Sequence, residues 1–308
     1  MPEFGPLSDN CQLMEYYTPP FATQALSRIA LGAMSFHDET TGQAVIHAAL
    51  DQGINCFDTA DLYDKGENER ILGKVLAHRR KEVFLATKVG NRWRADGSGW
   101  DWVPRRAYIF QAIEDSLRRL GTDYIDLYQL HGGTIDDPWD EIIGTFEELK
   151  AAGKILAYGV SSIRPNVIRN WTANSQGSTC MTQYSLLDRR PEEATLQSLQ
   201  DAGQYALVRG ALAKGLLAGK PSRDYLGYSA DTVTAQYQAL VAEVGVHAAG
   251  LAIAYVFRQP AVGSVVLGAS SAEQINGAVQ AWQKIRANQV NWPALMAIAP
   301  AKVYELHR

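Results

Sequence analysis

Short apolar runs alternate with longer amphipathic stretches along almost the whole chain. The runs at 83–86 and 124–130 are nearly continuous and bounded by turn residues, which is typical of strands buried on both faces. The stretch 104–120 has helical apolar spacing, with Pro104 near its start and Gly121 just after its end. Such alternation predicts parallel βαβ units.

Counting these elements predicts the fold class. The predicted strands are 29–31, 54–57, 83–86, 124–130, 156–160, 179–183, 206–208 and 264–267. The predicted helices are about 41–52, 68–77, 104–120, 138–152, 165–173, 191–201, 233–244, 248–257 and 272–284. Eight strands, each followed by a helix, fit a closed (β/α)8 TIM barrel of the α/β class. The alternative is an open doubly wound sheet, but no G-x-G-x-x-G motif follows the first strand.

Length and composition narrow the class of protein. The chain has 308 residues, 46% of them hydrophobic, and a formal net charge of -4. We expect one barrel domain over 26–308, preceded by an irregular Pro-rich lead-in at 1–25. No basic patch indicates nucleic acid, no apolar run approaches the ~20 residues of a membrane span, and no signal peptide is visible. Cys11, Cys56 and Cys180 lack zinc or redox spacing, and Cys56 and Cys180 lie in predicted strands, so we expect those two to be buried thiols in a reduced, cytoplasmic protein.

Four polar residues follow the ends of predicted strands, namely Asp58, Tyr63, Lys88 and His131. A polar side chain at the end of a buried strand is costly unless it is paired or functional. The carboxyl ends of barrel strands are where catalytic residues gather. Singly, the lysine and the histidine also fit structural roles, but together the four predict one shared site.

The chemistry of these four residues suits proton transfer. An ammonium such as that of Lys88 stabilises a nearby phenolate, which makes a phenol a better proton donor. Asp58 can hold the ammonium in place, and His131 can hydrogen-bond a substrate oxygen. The set predicts acid–base catalysis of a carbonyl–alcohol interconversion. No H-E-x-x-H or similar metal spacing occurs, so we expect no metal, and the clustered histidines and acids of a metal-dependent hydrolase are not seen.

Several motifs in the same order resemble the aldo-keto reductase superfamily. They are FDTADLYDKGENERILGKVL (57–76), ATKVG (86–90), IDLYQLHGG (125–133), YGVSS (158–162), QYSLLDRRPEE (183–193), RGALAKGLLAGK (209–220) and VVLGASSAEQI (265–275). The resemblance runs from about 31 to 281. It implies a barrel that uses NADPH, less often NADH, to reduce a small aldehyde or ketone. By this resemblance, Tyr63 corresponds to the general acid, and Lys88 and Asp58 correspond to the pair that adjusts its pKa. His131 resembles the residue that orients the carbonyl.

The resemblance also implies where the cofactor binds. The expected contacts are Gly32, Ala33, Met34, Ser161, Ser162, Met181, Gln183, Arg209, Gly210, Ala211, Leu212, Gly215, Leu217, Gly268, Ser270, Ser271 and Gln274. The two serines at 161–162 resemble a carboxamide-binding pair. The loop 209–217 resembles a pyrophosphate cradle, and 268–274 resembles the segment that binds the adenosine end.

The chain departs from the family pattern at several of these positions. Met181 stands where a glutamine is frequent, and Gln183 on the same strand face is an alternative. Arg209 stands where many members stack an aromatic ring, so it can stack, bind cofactor phosphates or attract an anionic substrate. Ser270 and Ser271 are neutral where many NADPH users carry a cation. We therefore expect NADPH, with NADH possible. Asp64 replaces the usual glycine after the tyrosine.

The long loop after the Lys88 strand is expected to shape the substrate pocket. Trp93 and Trp100 lie in this loop and either line the pocket or anchor the loop. The competing hypothesis is a slow or non-catalytic NADP(H)-sensing subunit, as in the potassium-channel beta subunits that share the fold of this family. The four-residue set favours the enzyme, and turnover distinguishes the two.

Overall fold

The computed structural model describes residues 14–36, 38–285 and 289–308, so Cys11 and most of the predicted lead-in lie outside the described residues. Within them, eight parallel strands close into a barrel in which each strand pairs with its sequence neighbours and the last pairs with the first. The strands are β1 (Ile29–Gly32), β2 (Cys56–Asp58), β3 (Phe84–Val89), β4 (Ile125–Leu130), β5 (Ile155–Ser161), β6 (Thr179–Gln183), β7 (Tyr205–Arg209) and β8 (Val262–Gly268). The predicted (β/α)8 barrel is confirmed, and the open sheet is excluded.

Helices surround the barrel in the order the sequence predicts, except that the last one, Trp292–Ile298, was not predicted. They are α1 (Glu39–Asp51), α2 (Glu67–Leu76), α3 (Arg106–Leu120), α4 (Trp139–Ala151), α5 (Pro165–Asn174), α6 (Thr195–Asp201), α7 (Ala230–Val244), α8 (Ala248–Val256), α9 (Ala272–Gln283) and α10 (Trp292–Ile298). Helices α1 and α7 begin two or three residues earlier than predicted, because Asp38 and Ser229 cap them through their side chains. Helix α6 begins later, because a 3-10 turn occupies Arg190–Glu193.

A small apolar cluster fills the barrel interior. It takes residues from every strand, among them Ala30, Cys56, Met181 and Val266. At the amino-terminal end of the strands, Phe21 packs on Phe84 and Tyr205 and closes the floor. Among the described residues, aromatic side chains thus cover the amino-terminal end of the barrel, and the carboxyl ends of the strands form the opposite end.

The described part of the lead-in is more ordered than the sequence predicts. Tyr16–Tyr17 pairs with Leu26–Ser27 as an antiparallel ribbon, and Tyr17 packs against the interior cluster. This ribbon, rather than an irregular extension, supports the barrel floor. Two-residue strands are too short to leave a periodic pattern in the sequence, which is why the ribbon was not predicted.

One helical stretch, Ala230–Val256, is long and apolar enough to cross a membrane by length and composition. It spans α7 and α8, and about half of its most apolar window is buried. Every residue of α8 from Gly250 to Val256 is buried, and Gly250 touches the backbone of α9 closely. Packing inside the fold therefore accounts for this apolar composition.

Candidate active site

Two charged residues from neighbouring strands meet at the mouth of the barrel. The β2–β3 register sets Asp58 beside Ala86, so Lys88, two residues further along β3, projects from the same face. The Lys88 side chain is completely buried, and its Nζ lies 2.5 Å from Asp58 Oδ2 and 2.8 Å from the carbonyl oxygen of Thr59. Gln129 on β4 donates to the other carboxylate oxygen at 3.4 Å.

The buried pair keeps its ammonium charged. Burial alone lowers the pKa of Lys88, but the Asp58 carboxylate and the Tyr63 phenol outweigh it, so that the pKa stands above its ordinary value. Burial has the opposite effect on the carboxyl: it raises the pKa of Asp58, and the Lys88 ammonium offsets this rise only in part. Lys88 is therefore a fixed positive charge beneath the mouth at neutral pH.

Tyr63 and His131 lie above this charge. The Lys88 Nζ is 5.2 Å from the centre of the Tyr63 ring, and the Tyr63 and His131 rings meet edge to face with centres 5.6 Å apart. The main-chain amide of His131 donates to Val89 O at 2.7 Å, which fixes the loop after β4 against β3. The structure thus brings all four predicted catalytic residues together.

His131 is a neutral imidazole. Burial, followed by the positive charges of Lys88 and Arg209, lowers the pKa of His131 to about 3. Its Nδ1 is buried and has no hydrogen-bond partner among the residues the structure describes. A neutral ring with a free polar edge can bind a substrate oxygen without itself being a strong acid.

The loop that carries Tyr63 holds an uncommon backbone conformation. Asp64 and Lys65 have φ of 44° and 54°, and Gly66 follows with φ of 88° before α2 begins. Left-handed backbone is costly for residues with a Cβ and recurs at functional sites. The conformation explains why a glycine is usual at the position of Asp64, and aspartate is among the residues that tolerate it best.

The segment after β3, predicted from the sequence as a long loop, forms a hairpin. Asn91–Trp93 pairs with Trp100–Trp102, and Trp93 lies opposite Trp100. The indole of Trp93 donates to Leu62 O at 3.0 Å, next to Tyr63, so Trp93 anchors the hairpin to the catalytic loop. Trp100 is 48% exposed. That either residue also lines a substrate pocket stays a prediction.

The predicted cofactor residues fall along one side of the mouth. Gly32 and Gly268 end the neighbouring strands β1 and β8 and pair in register, which leaves this rim without bulky side chains. A Cβ at Gly32 would lie 3.0 Å from Val266, and one at Gly268 would lie 2.9 Å from Ser35 Oγ. Ala33 is buried below the rim, and Met34 is 68% exposed beside it.

Strands β5 and β6 place the next predicted contacts. Ser161 ends β5, and the amide of Ser162 donates to Met181 O at 2.9 Å. Met181 itself belongs to the interior cluster and is 2% exposed, whereas Gln183 lies two residues nearer the opening. Of the two alternatives, Gln183 is therefore the polar side chain closer to the mouth.

A glycine-containing loop follows β7. Arg209 is exposed at its start and donates to Gln183 Oε1 at 2.8 Å, while the side chains of Ala211 and Leu217 are buried and can offer only main-chain groups to a ligand. Gly210 and Gly215 have φ of 75° and 90°. This backbone requires glycine or strain, which fits a loop shaped to approach a ligand closely.

The segment after β8 leads into α9. Ser271 caps the helix by accepting from the amide of Gln274, and Gln274 Oε1 accepts from the amide of Ser270 at 2.9 Å. A helix N-terminus favours anions. The charged residue in this first turn is Glu273, an anion.

Sequence reasoning missed residues that support the four catalytic groups. Gln129 contacts Asp58, and Asn91 donates from Nδ2 to His131 O at 3.0 Å. A polar residue inside the apolar run of β4 was a usable signal for Gln129. Asn91 gave no such signal, because its role depends on how the hairpin folds back.

Comparison with known proteins identifies the family. Residues 28–299 match the sequence model of the aldo/keto reductase family. The chain belongs to the aldo/keto reductase family. A Bacillus subtilis protein named uncharacterized oxidoreductase YqkF is 44% identical over 295 residues, covering 92% of this chain and 96% of its own. The structure of aldo-keto reductase AKR11C1 from Bacillus halodurans in its holo form is 44% identical, with a TM-score of 0.90 over 96% of this chain and 99% of that one.

More distant relatives carry more specific names. An NADH-specific methylglyoxal reductase from Escherichia coli is 31% identical over 83% of this chain and 90% of its own. The glycerol dehydrogenase AKR11B4 from Gluconobacter oxydans is 28% identical, with a TM-score of 0.82 over 94% of this chain and 98% of that one. Membership of the aldo/keto reductase family makes this chain an NAD(P)H-dependent oxidoreductase.

Proposed function

We propose that this aldo-keto reductase reduces aldehydes and ketones to alcohols with NADPH, and that Tyr63 is the general acid. The observation that carries the proposal is the meeting of the Tyr63 and His131 rings above the buried Lys88 ammonium. A proton donor, a neutral hydrogen-bonding ring and a fixed positive charge converge on one small space. This is what a carbonyl oxygen needs as it gains electron density.

Each residue has a distinct part in the proposed reaction. The reduced nicotinamide, when bound, supplies the hydride. The Tyr63 hydroxyl donates its proton to the carbonyl oxygen, and the Lys88 ammonium stabilises the phenolate that remains. Asp58 holds the ammonium in position at 2.5 Å. His131, neutral at physiological pH, orients the carbonyl by a hydrogen bond.

The side of the mouth formed by β1, β7 and β8 fits a dinucleotide. Gly32 and Gly268 leave the rim low, and the loop after β7 has left-handed backbone at Gly210 and Gly215. Ser161, Ser162 and Gln183 supply polar groups nearer the catalytic residues. Arg209 is exposed where it can stack on a ring or pair with phosphates.

NADPH is preferred over NADH in this proposal, because it is the usual cofactor of the family. In the segment that leads into α9, Ser270 and Ser271 are neutral and Glu273 is acidic. This segment therefore offers no cation to the 2′-phosphate of NADPH. The substrate is a small carbonyl compound, and the protein is expected in the cytoplasm. Trp93 and Trp100 are proposed as the aromatic side of the substrate pocket.

The proposal is tested by titrating the protein with NADPH and, separately, NADH while following tryptophan fluorescence. Addition of 4-nitrobenzaldehyde then reports turnover through the loss of reduced-nicotinamide absorbance. Saturable NADPH binding with turnover is expected. Binding without turnover across a broad carbonyl panel would instead favour an NADP(H)-sensing subunit, and tighter NADH binding would reverse the cofactor preference.

A further inference from the structure

A second buried carboxyl lies beside the catalytic loop, outside the Asp58–Lys88 pair. Asp61 stands two residues before Tyr63, is 8% exposed, and its main-chain amide donates to Lys88 O at 3.3 Å. Its Oδ1 is buried without a hydrogen-bond partner among the described residues. Its Oδ2 lies 3.2 Å from the hydroxyl of Tyr108 on α3.

The hydroxyl of Tyr108 faces two oxygen atoms at equal distance. It is 3.2 Å from Asp61 Oδ2 and 3.2 Å from the carbonyl oxygen of Asn91. A phenol has one proton to donate, so an ionised Asp61 and the Asn91 carbonyl compete for it. If Asp61 carries a proton, it donates to Tyr108, and Tyr108 donates to Asn91. Both hydrogen bonds then form at once.

Asn91 extends this chain of contacts to the opposite side of the site. Its side-chain amide donates to His131 O at 3.0 Å, and the residue is 6% exposed. A continuous path of contacts therefore runs from Asp61, in the loop that carries Tyr63, through Tyr108 and Asn91 to the main chain of His131. The path joins the two loops whose side chains face the proposed carbonyl oxygen.

The surroundings favour a proton on Asp61. Burial is the largest influence, and the nearby Glu69 carboxylate on α2 adds to it, raising the pKa of Asp61 to about 8. Tyr108 and Arg119 on α3 and the Leu62 amide oppose this rise. Arg119 pairs with Glu69 at 2.6 Å, and Tyr128 on β4 and Arg92 on the hairpin are further ionisable groups near Asp61 or Tyr108.

We propose that Asp61, Tyr108 and Asn91 form a hydrogen-bonded bridge that positions Tyr63 and His131 relative to each other, and that the bridge is complete only while Asp61 carries a proton. The three are positioning residues, since none of them touches the reacting atoms. The effect on catalysis rests on the proposed reductase function. The bridge makes the enzyme lose activity in mildly alkaline solution as Asp61 ionises and the Tyr108–Asn91 bond breaks.

The test compares the pH dependence of kcat in the wild type, Asp61→Asn and Tyr108→Phe. Asparagine donates to Tyr108 at every pH, so Asp61→Asn should keep kcat within about twofold at pH 7 and remove a wild-type decline of about fivefold between pH 7 and 9. Tyr108→Phe should lower kcat about tenfold at pH 7, with the NADPH dissociation constant unchanged. Tyr124→Phe, just before the amino-terminal end of β4, is the matched control and should behave as the wild type.

A second readout does not depend on turnover. Hydrogen exchange of the hairpin 91–102, corrected for the intrinsic pH dependence of exchange, should rise between pH 7 and 9 in the wild type and stay constant in Asp61→Asn. If the wild type shows no turnover at all, the proposed function fails, but hydrogen exchange still tests whether the bridge depends on the proton of Asp61. Identical pH profiles and identical exchange in the wild type and Asp61→Asn would overturn the bridge, as would a Tyr108→Phe variant equal to Tyr124→Phe.

Discussion

The residue on which the site depends most is Lys88, whose side chain is completely buried with its ammonium paired to Asp58. Replacing it by methionine keeps the apolar stem but leaves the Asp58 carboxyl buried without its cation. We expect Lys88→Met to lower the free energy of unfolding by about 3 kcal/mol, because an uncompensated buried charge is costly. Urea denaturation measures this, and the exposed Lys81→Met is the control. Equal losses in the two variants would contradict the assignment.

His131 makes stability depend on pH. Its folded pKa of about 3 lies below the ordinary 6.5, so the unfolded chain takes up a proton that the folded site rejects. The contribution of the neutral His131 to the free energy of unfolding is fully present above pH 6.5 and is lost as the pH falls toward 3. Between pH 7 and 5, the wild type should lose about 1 to 2 kcal/mol more unfolding free energy than His131→Gln. Parallel denaturation curves over that interval would refute this.

Arg209 acts on the cofactor in this account. It is exposed and donates to Gln183 Oε1 at 2.8 Å, and it makes no hydrogen bond to Lys88 or Asp58 among the described residues. Arg209→Ala should raise the NADPH dissociation constant about tenfold while changing kcat by less than about threefold, because a charge-assisted contact is lost and the acid remains. Fluorescence titration and steady-state kinetics measure the two quantities, with the exposed Arg118→Ala as control. An unchanged dissociation constant would remove Arg209 from the cofactor site.

At the scale of elements, the hairpin after β3 links the two catalytic loops. Trp93 donates to Leu62 O, so Trp93→Phe removes a bond between hairpin and Tyr63 loop while keeping an aromatic ring. Hydrogen exchange of residues 60–66 should increase in Trp93→Phe and not in Trp100→Phe. If the two variants exchange alike, Trp93 does not anchor the loop. If KM rises more for aromatic than for aliphatic aldehydes in either variant, relative to the wild type, that result would support the prediction that the replaced tryptophan lines the substrate pocket.

The sequence predicts the order of the elements well and their ends less well. Apolar runs reveal the strands because parallel strands are buried on both faces. The predicted β3 stops at residue 86 because Thr87 and Lys88 are polar. In the structure both are buried, because Thr87 hydrogen-bonds Glu69 and Lys88 pairs with Asp58. The hairpin and the floor ribbon are too short to leave a periodic signal. Asp61, Tyr108 and Asn91 were not predicted together, since only the packing of α3 against two loops brings them into contact.

At the scale of the whole molecule, the barrel has one closed end and one working end. Aromatic residues of the amino-terminal ribbon seal the floor, and the interior is filled by side chains from every strand. Of the buried polar side chains, those near the carboxyl ends of the strands, such as Asp58 and Lys88, pair with one another beneath the mouth. This arrangement is why Asp58, Tyr63, Lys88 and His131, from three separate stretches of the sequence, form one site.

The central claim is that Tyr63 is the proton donor of this site, and Tyr63→Phe tests it most directly. The measurement is turnover of 4-nitrobenzaldehyde at saturating NADPH together with the NADPH dissociation constant, for the wild type, Tyr63→Phe and Tyr124→Phe. We expect kcat to fall at least about a thousandfold in Tyr63→Phe, with cofactor affinity within about twofold of the wild type, because only the hydroxyl is removed. A Tyr63→Phe variant that keeps wild-type turnover, or that loses cofactor binding as well, would contradict the account.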